Sequence, residues 1–298
     1  MSYWKRIYKI NFPKLGYELS NGLQVNFDVM KDLTEKTNKS NITIYNMAKA
    51  NRDKVSQQDT EAEIYLGYEG TGEICVFKGT VVYAKTFREG NDVKTKLDLS
   101  DGQIAIRDCQ LSLSFPKGTS KEAAVDAVAH DMGIAVEYGN GVQLGTFPAG
   151  FSFVGAGKDA MNSILGTEYT WSIQNNIMQV IAAGGVFANK GYVFSASSGL
   201  VGSPERINES NPYEDEETTK RREAQKNRTD RPQKRAGWKI QTLMTPSVNA
   251  GDKVGVDSDE ISGWFRVESV HHKGDYIGGT WTSEFTLIEG LEDKEGDA

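Results

Sequence analysis

The sequence predicts a mainly β protein with an α+β insert, in which two antiparallel β domains flank a small α+β segment. Three observations carry this reading. Apolar and polar residues alternate in short runs from residue 3 to about 110, helical periodicity is confined to the middle of the chain, and closely spaced strand patterns return after residue 236.

In the first part Leu23, Val25, Phe27 and Val29 alternate with polar neighbours, as do Ile42 and Ile44, then Ile64 and Leu66. A period of two places each set on one face of a strand. Residues 116 to 133 break the pattern. Thr119 and Glu122 have the spacing of a capping box, Val125, Val128, Ala129 and Met132 share one helical face, and Gly133 suits a left-handed stop. The following IAVEYGNGVQL reads as a hairpin about Gly139, Asn140 and Gly141. A second helix, KDAMNSIL, leads into EYTWSIQNNIMQVIA, whose Asn175 and Asn176 tolerate positive φ in a turn.

The predicted boundaries are 1–111 for the first β domain, 112–185 for the α+β domain and 186–298 for the second β domain, which includes a charged loop at 203–236. In that loop an acidic block, Glu214 to Glu217, precedes Lys220, Arg221, Arg222, Lys226, Arg228, Arg231, Lys234 and Arg235. It has no apolar face to bury, so it is expected to be a mobile loop or to order on a partner. Strands resume in WKIQTLM, DKVGVD, GWFRVESVHH and GGTWTSEFTLIEG, and the acidic EDKEGDA is expected to fray.

Two distant stretches share an order of features. The run from Val81, VVYAKTFREGNDVKTKLDLSDG, and the run from Val267, VESVHHKGDYIGGTWTSEFTLIEG, each place a strand, a Gly with Asp close by, a strand carrying Thr then Leu, and a closing Gly. A duplicated β unit would produce this.

The 298 residues are 38% hydrophobic and 25% charged, which suits a folded chain. A net charge of −7 argues against a protein whose task is to neutralise phosphates. No run approaches the roughly 18 apolar residues of a bilayer span, so no stable membrane insertion is expected. The N-terminal pattern lacks the apolar core of a signal peptide, and assembly in the host cytoplasm is expected. Cys75 and Cys109 lack CxxC spacing and read as buried, reduced thiols on strands.

Nothing in the sequence assembles a catalytic or metal site, and no cofactor is predicted. His130 lies on the first predicted helix outside any HExxH context. His271 and His272 are adjacent on a strand, so they point to opposite faces. Ser195, Ser197 and Ser198 stand outside a G-x-S-x-G elbow, and GAGKDA departs from the phosphate-loop spacing. A glycosidase needs only two carboxylates, for which Glu268 and Glu284 are strand-borne candidates.

The C-terminal segment carries Leu243, Pro246, Gly251, Asp252, Gly263, Phe265, Arg266, Val267, Val270, His271, Gly274, Asp275, Gly279, Trp281 and Thr282 in order. This resembles the P…PGD…G.YRV..V.H.GD..G.W.T signature of the baseplate hub proteins of contractile-tailed bacteriophages and related bacteriocins. Ala250 stands where the signature has proline. The earlier GLQVNFDVMKD, TNKSNITIYNM and GYEG are similar to the first β domain of the same proteins, and SGLVGSPERI resembles their TGLIG.P connection.

The resemblance implies two tube-protein-like antiparallel β-barrel domains and a structural virion protein of the tail baseplate, with no enzymatic activity. Its implied partners are two further copies in a homotrimer, the tail tube protein, the central spike protein and other baseplate proteins, with genomic DNA only in transit through the lumen. The residues singled out are architectural: Gly251, Gly263, Gly274 and Asp275 for turns, and Trp264, Phe265 and Trp281 for barrel packing. The alternatives are a tail-associated peptidoglycan hydrolase and a hexameric tail tube or distal tail ring protein.

Overall fold

The computed structural model describes residues 5–35, 37–207 and 237–288, so most of the charged loop and the acidic tail lie outside the described residues. The first part contains β1 (Arg6–Phe12), β2 (Tyr17–Ser20), β3 (Val25–Asp32), β4 (Lys39–Tyr45), α1 (Lys49–Val55), β5 (Glu61–Tyr68), β6 (Gly72–Glu89) and β7 (Asp92–Ser100). The middle contains α2 (Gln103–Asp108), β8 (Gln110–Phe115), α3 (Lys121–Asp131), β9 (Ala135–Tyr138), β10 (Phe151–Ala156), α4 (Gly157–Leu165), β11 (Tyr169–Gln174) and β12 (Ile177–Ala182). The last part contains β13 (Asn189–Phe194), β14 (Leu200–Ile207), β15 (Gly237–Leu243), β16 (Lys253–Asp257), β17 (Ser262–Asp275) and β18 (Trp281–Ile288).

The strand alternation holds: Val25, Phe27, Val29, Ile42, Ile44, Ile64 and Leu66 are all buried. Helices α1 and α2 have no counterpart in the sequence reading, because α1 buries only Val55 and so carries no apolar stripe.

The first and last parts repeat one strand order. Neighbouring strands run β1-β5-β6-β7-β4-β3 in one and β13-β16-β17-β18-β15-β14 in the other, with the same order along the chain. The register irregularities coincide as well, falling between Val81 and Tyr83 on β6 and between Val267 and Ser269 on β17. These are the points at which the two similar sequence runs begin. The repeat is imperfect, since β1 pairs β5 antiparallel whereas β13 pairs β16 in parallel.

Residues 269–275 of β17 pair antiparallel with residues 26–32 of β3, which fuses both parts into one 13-stranded sheet. One core gathers Tyr8, Phe12, Phe27, Ile42 and Phe77, and also Met244 and Trp281 from the last part. A second core, with Phe194, Ile240, Val254, Phe265 and Phe285, belongs to the last part alone.

The middle segment has its own core of α3 and α4 residues with Trp171, Ile173 and Met178. Helix α3 buries Ala124, Val125, Val128 and Ala129 as its periodicity requires, and Gly133 at φ +71° follows it. Its N-cap is Ser120 and not Thr119: the Ser120 hydroxyl accepts from Glu122 N–H at 3.1 Å, while Thr119 Oγ1 donates to Pro116 O. The hairpin expected at 134–144 does not form. Strand β9 instead pairs in parallel with β12, and the chain past Gly141 turns back to α3, where Leu144 N–H donates to Glu122 Oε1 at 2.7 Å. The β11–β12 hairpin forms as expected, with Asn175 and Asn176 at φ +56° and +61°.

That turn plugs into the first part. Buried Asp101 accepts from Asn38 N–H and Asn38 Nδ2, both at 2.9 Å, and from Asn175 N–H at 3.2 Å. Asn38 Nδ2 also donates to Ile173 O at 2.8 Å. Burial pushes the Asp101 carboxyl up to about 6 in spite of these donors.

Close by, Lys31 is fully buried on β3, with Nζ donating to Asn249 Oδ1 at 3.4 Å. Burial lowers its ammonium to about 8, with Asp101 and Asp252 acting in opposition. Between about pH 8 and the ordinary lysine value near 10.5 the unfolded chain holds a proton that the folded chain releases, so stability rises with pH across that window. The raised thiols of Cys75 and Cys109 and the raised phenols of Tyr65 and Tyr138 act in the opposite sense over the same range. In urea unfolding at pH 8, 9 and 10.5 the stability of the native sequence relative to Lys31→Met is therefore expected to rise by roughly 3 kcal/mol.

Candidate functional site

Eight strands, in the order β14-β15-β18-β17-β3-β4-β7-β6, lie side by side in the middle of the sheet. Their alternation separates two faces. Phe27, Val29, Ile42, Leu97, Ile240, Val270 and Phe285 are buried on one, and strands such as β1 and β5 cover it with Tyr8, Ile10, Ile64 and Leu66. The other face carries Asp28, Asn41, Lys96, Asp98, Lys239, His271, Lys273 and Glu284 and is mainly polar, with Met30 and Tyr83 as exposed apolar side chains on it.

Several charges on this face are paired. Lys94 meets Glu89 at 2.9 Å, Lys96 meets Asp98 at 3.4 Å, Lys239 meets Glu284 at 3.0 Å, and His271 Nε2 lies 2.7 Å from Asp28 Oδ1 across the β3–β17 seam. His271 therefore belongs to the polar face. His272 points the other way, buried, with Nδ1 2.8 Å from Ser283 Oγ, and burial pulls it down to about 3 so that it stays neutral. The adjacent pair divides between faces as strand geometry requires.

Among the described residues, the two ends of the eight-strand array are open. Strand β6 pairs β5 only up to Thr80, so the outer edge of residues 83–89 has no strand partner among the described residues. Strand β14 pairs β15 on one side, and its other edge likewise has none among the described residues. An open edge leaves backbone donors and acceptors aimed at solvent, ready to extend the sheet.

The architectural residues fall on or beside the β17–β18 hairpin. Asp275 Oδ1 accepts from Ile277 and Gly278 N–H at 3.0 and 3.2 Å, which closes the loop between β17 and β18. Gly274 faces both Phe27 and Trp281 in the ladder, and the indole lies over its missing side chain. Trp281 is buried in the first core, edge-on to Phe27 with ring centroids 6.1 Å apart. Arg6 of β1 lies over the Trp281 ring at 5.6 Å and donates to Asp275 O at 2.7 Å. Gly251 at φ +91° precedes β16, donating to Val267 O at 2.8 Å and accepting from Phe187 N–H at 2.7 Å. Gly263, at φ +148°, lies in β17 beside Phe265, which is buried in the second core. Trp264 corrects the expectation of packing: it is 45% exposed, because its neighbour Phe265 takes the inward face, and Lys253 Nζ lies 5.7 Å from its ring.

The residues weighed for chemistry have structural engagements. Glu268 pairs with Arg266 at 2.9 Å and Glu284 with Lys239. Ser198 Oγ accepts from Ser195 N–H and donates to Val193 O, tying the β13–β14 connection. His130 is exposed at the end of α3, and GAGKDA spans the end of β10 and the first turn of α4. Cys109 is buried and Cys75 half-buried, both free; Cys109 caps α2 instead of lying on a strand. Among the described residues no three His, Cys, Asp or Glu side chains converge on a metal position.

A Cβ at Gly274 would lie 2.7 Å from Trp281 Cε3. Gly274→Ala is expected to lower the unfolding free energy by roughly 1–3 kcal/mol through overpacking. In a double-mutant cycle of urea denaturations, Trp281→Phe recovers part of that loss if the indole is the obstacle.

No family model matches this sequence, and no curated protein sequence matches it. Solved structures do match. The 43 kDa tail protein of prophage MuSo2 from Shewanella oneidensis aligns over 95% of this chain and 98% of its own, at 10% identity and a TM-score of 0.65. A tail protein from Neisseria meningitidis MC58 aligns over 96% and 97%, at 14% identity and a TM-score of 0.62. The E. coli c3393 protein, a type VI secretion system component described as structurally similar to the T4 bacteriophage tail proteins gp27 and gp5, aligns over 95% and 77%, at 11% identity and a TM-score of 0.59. The chain thus has, over nearly its whole length, the fold of phage tail proteins.

Proposed function

We propose that this chain is a structural subunit of a phage-type tail, a baseplate hub protein that acts by assembling and has no catalytic activity. Three copies form a ring that joins the six-fold tail tube to the three-fold central spike, contacts other baseplate proteins, and lets DNA pass on ejection. The observation that carries this reading is the repeated strand order, which gives each chain two similar four-strand sets within one eight-strand array. Three chains then supply six sets, and duplicating a unit is a simple way to meet a six-fold neighbour with a three-fold assembly.

The size is consistent with the role. Twenty-four strands from three eight-strand arrays, at about 4.8 Å each, make a backbone ring roughly 37 Å across before strand tilt widens it, enough for a DNA duplex. The apolar face is already covered by β1, β5 and the rest of each barrel-like unit, so the polar face lines the lumen. Its ion pairs neutralise one another, which leaves little net positive charge to hold a phosphate backbone.

Light scattering on a size-exclusion column, with and without the tube and spike partners, is expected to give three times the chain mass. A hexamer would favour the tube or distal-ring alternative, and a persistent monomer with those partners present would remove the hub reading.

A further inference from the structure

The repeat specifies how one copy meets the next. A row across the first set runs Asp28, Asn41, Asp98 and Tyr83, and the matching row across the second runs Glu205, Lys239, Thr286 and Ser269. Both rows sit at the same distance from the register irregularity of the long hairpin. Asp28 thus corresponds to Glu205, and Tyr83 to Ser269. Two residues further along, Lys85 corresponds to His271, and three along, Thr86 to His272.

Within the chain, the outer edge of β17 pairs with β3, whose counterpart in the second set is β14. The counterpart of β17 is β6, and among the described residues its matching edge has no strand partner, nor has the matching edge of β14. The two open edges are the two halves of a seam that each chain makes once internally.

We propose that residues 85–87 of β6 pair antiparallel with residues 205–207 of β14 in a second copy of this chain, Phe87 opposite Glu205, Thr86 opposite Arg206 and Lys85 opposite Ile207. The register follows from the internal seam, in which Lys273 faces Asp28 and His271 faces Met30. Charge agrees with it. The internal seam places His271 Nε2 2.7 Å from Asp28 Oδ1, and the equivalent positions between copies are Lys85 and Glu205, again a base and an acid. Strand addition satisfies the exposed backbone groups of both edges and keeps the polar face continuous across the joint. Because the contact joins different surfaces of two copies, it runs head to tail, the kind of contact that a three-copy ring requires. This inference deepens the hub reading and rests on it.

The test uses the full chain under the conditions in which its mass is measured. Oxidation of the double variant Thr86→Cys, Arg206→Cys is expected to yield covalent dimers and trimers on a denaturing gel, with neither single variant doing so beyond the native Cys75 and Cys109 background. Lys85→Glu and Glu205→Lys are each expected to weaken assembly at least about tenfold, and the combined swap to restore it. Both side chains are exposed, and matched thermal melts verify that each variant folds. A trimer that neither cross-links nor responds to the charge swap overturns this seam and leaves the hub reading standing. A native chain that stays monomeric with its tail partners, and does not cross-link, overturns both.

Discussion

The pairing of β17 with β3 is the constraint on which the rest of the structure depends. It is made between residues more than two hundred positions apart, so no local preference establishes it, and it turns two repeated strand sets into one sheet. Its hydrogen bonds are ordinary backbone ones, each worth about 1 kcal/mol net. What holds the register is the side chains on both faces: Trp281 and Phe27 across Gly274 on the apolar side, and His271 against Asp28 on the polar side. A slip of one residue would exchange those faces and bury Asp28 and Lys273.

Beneath the seam lies a group of buried polar side chains, Lys31, Asp101, Asn38, Asp252 and His272, of the kind that seldom adds net stability. Burial drives Lys31 down, Asp101 up and His272 down, each toward its neutral form. Their use lies in specificity. Asn38 and Asp101 receive the Asn175 turn of the middle segment, and Lys31 reaches Asn249 in the last part, so all three parts of the chain meet through directional bonds that an apolar contact would leave free to slide.

The surface proposed for assembly differs in kind from a chemical centre. Its groups are backbone donors and acceptors along β6 and β14 and paired charges on an alternating face, none of which has a sequence motif. Carboxylates considered for hydrolysis are each held by a cation on the same or the adjacent strand, Glu268 by Arg266 and Glu284 by Lys239. Such pairs contribute little to stability at a surface. In the proposed ring they would remove the single-sign field that makes a channel wall adhesive.

The sequence by itself determined the local elements. Strand alternation, the buried stripe of α3, the Asn175–Asn176 turn and the opposed His271 and His272 were legible because each depends on neighbours two to four residues apart. The gapped similarity of the runs from Val81 and Val267 marked the duplicated hairpins for the same reason. Tertiary structure alone decided which strands became neighbours: β9 joined β12 in parallel instead of folding back on itself, Ser120 took the cap from Thr119, Trp264 faced outward, and Trp281 crossed into the first core. Pairing partners are chosen by the global fit of faces and edges, and hydrogen bonds between backbones carry no residue code. That is why the elements could be read along the chain while the seam that unites them could not.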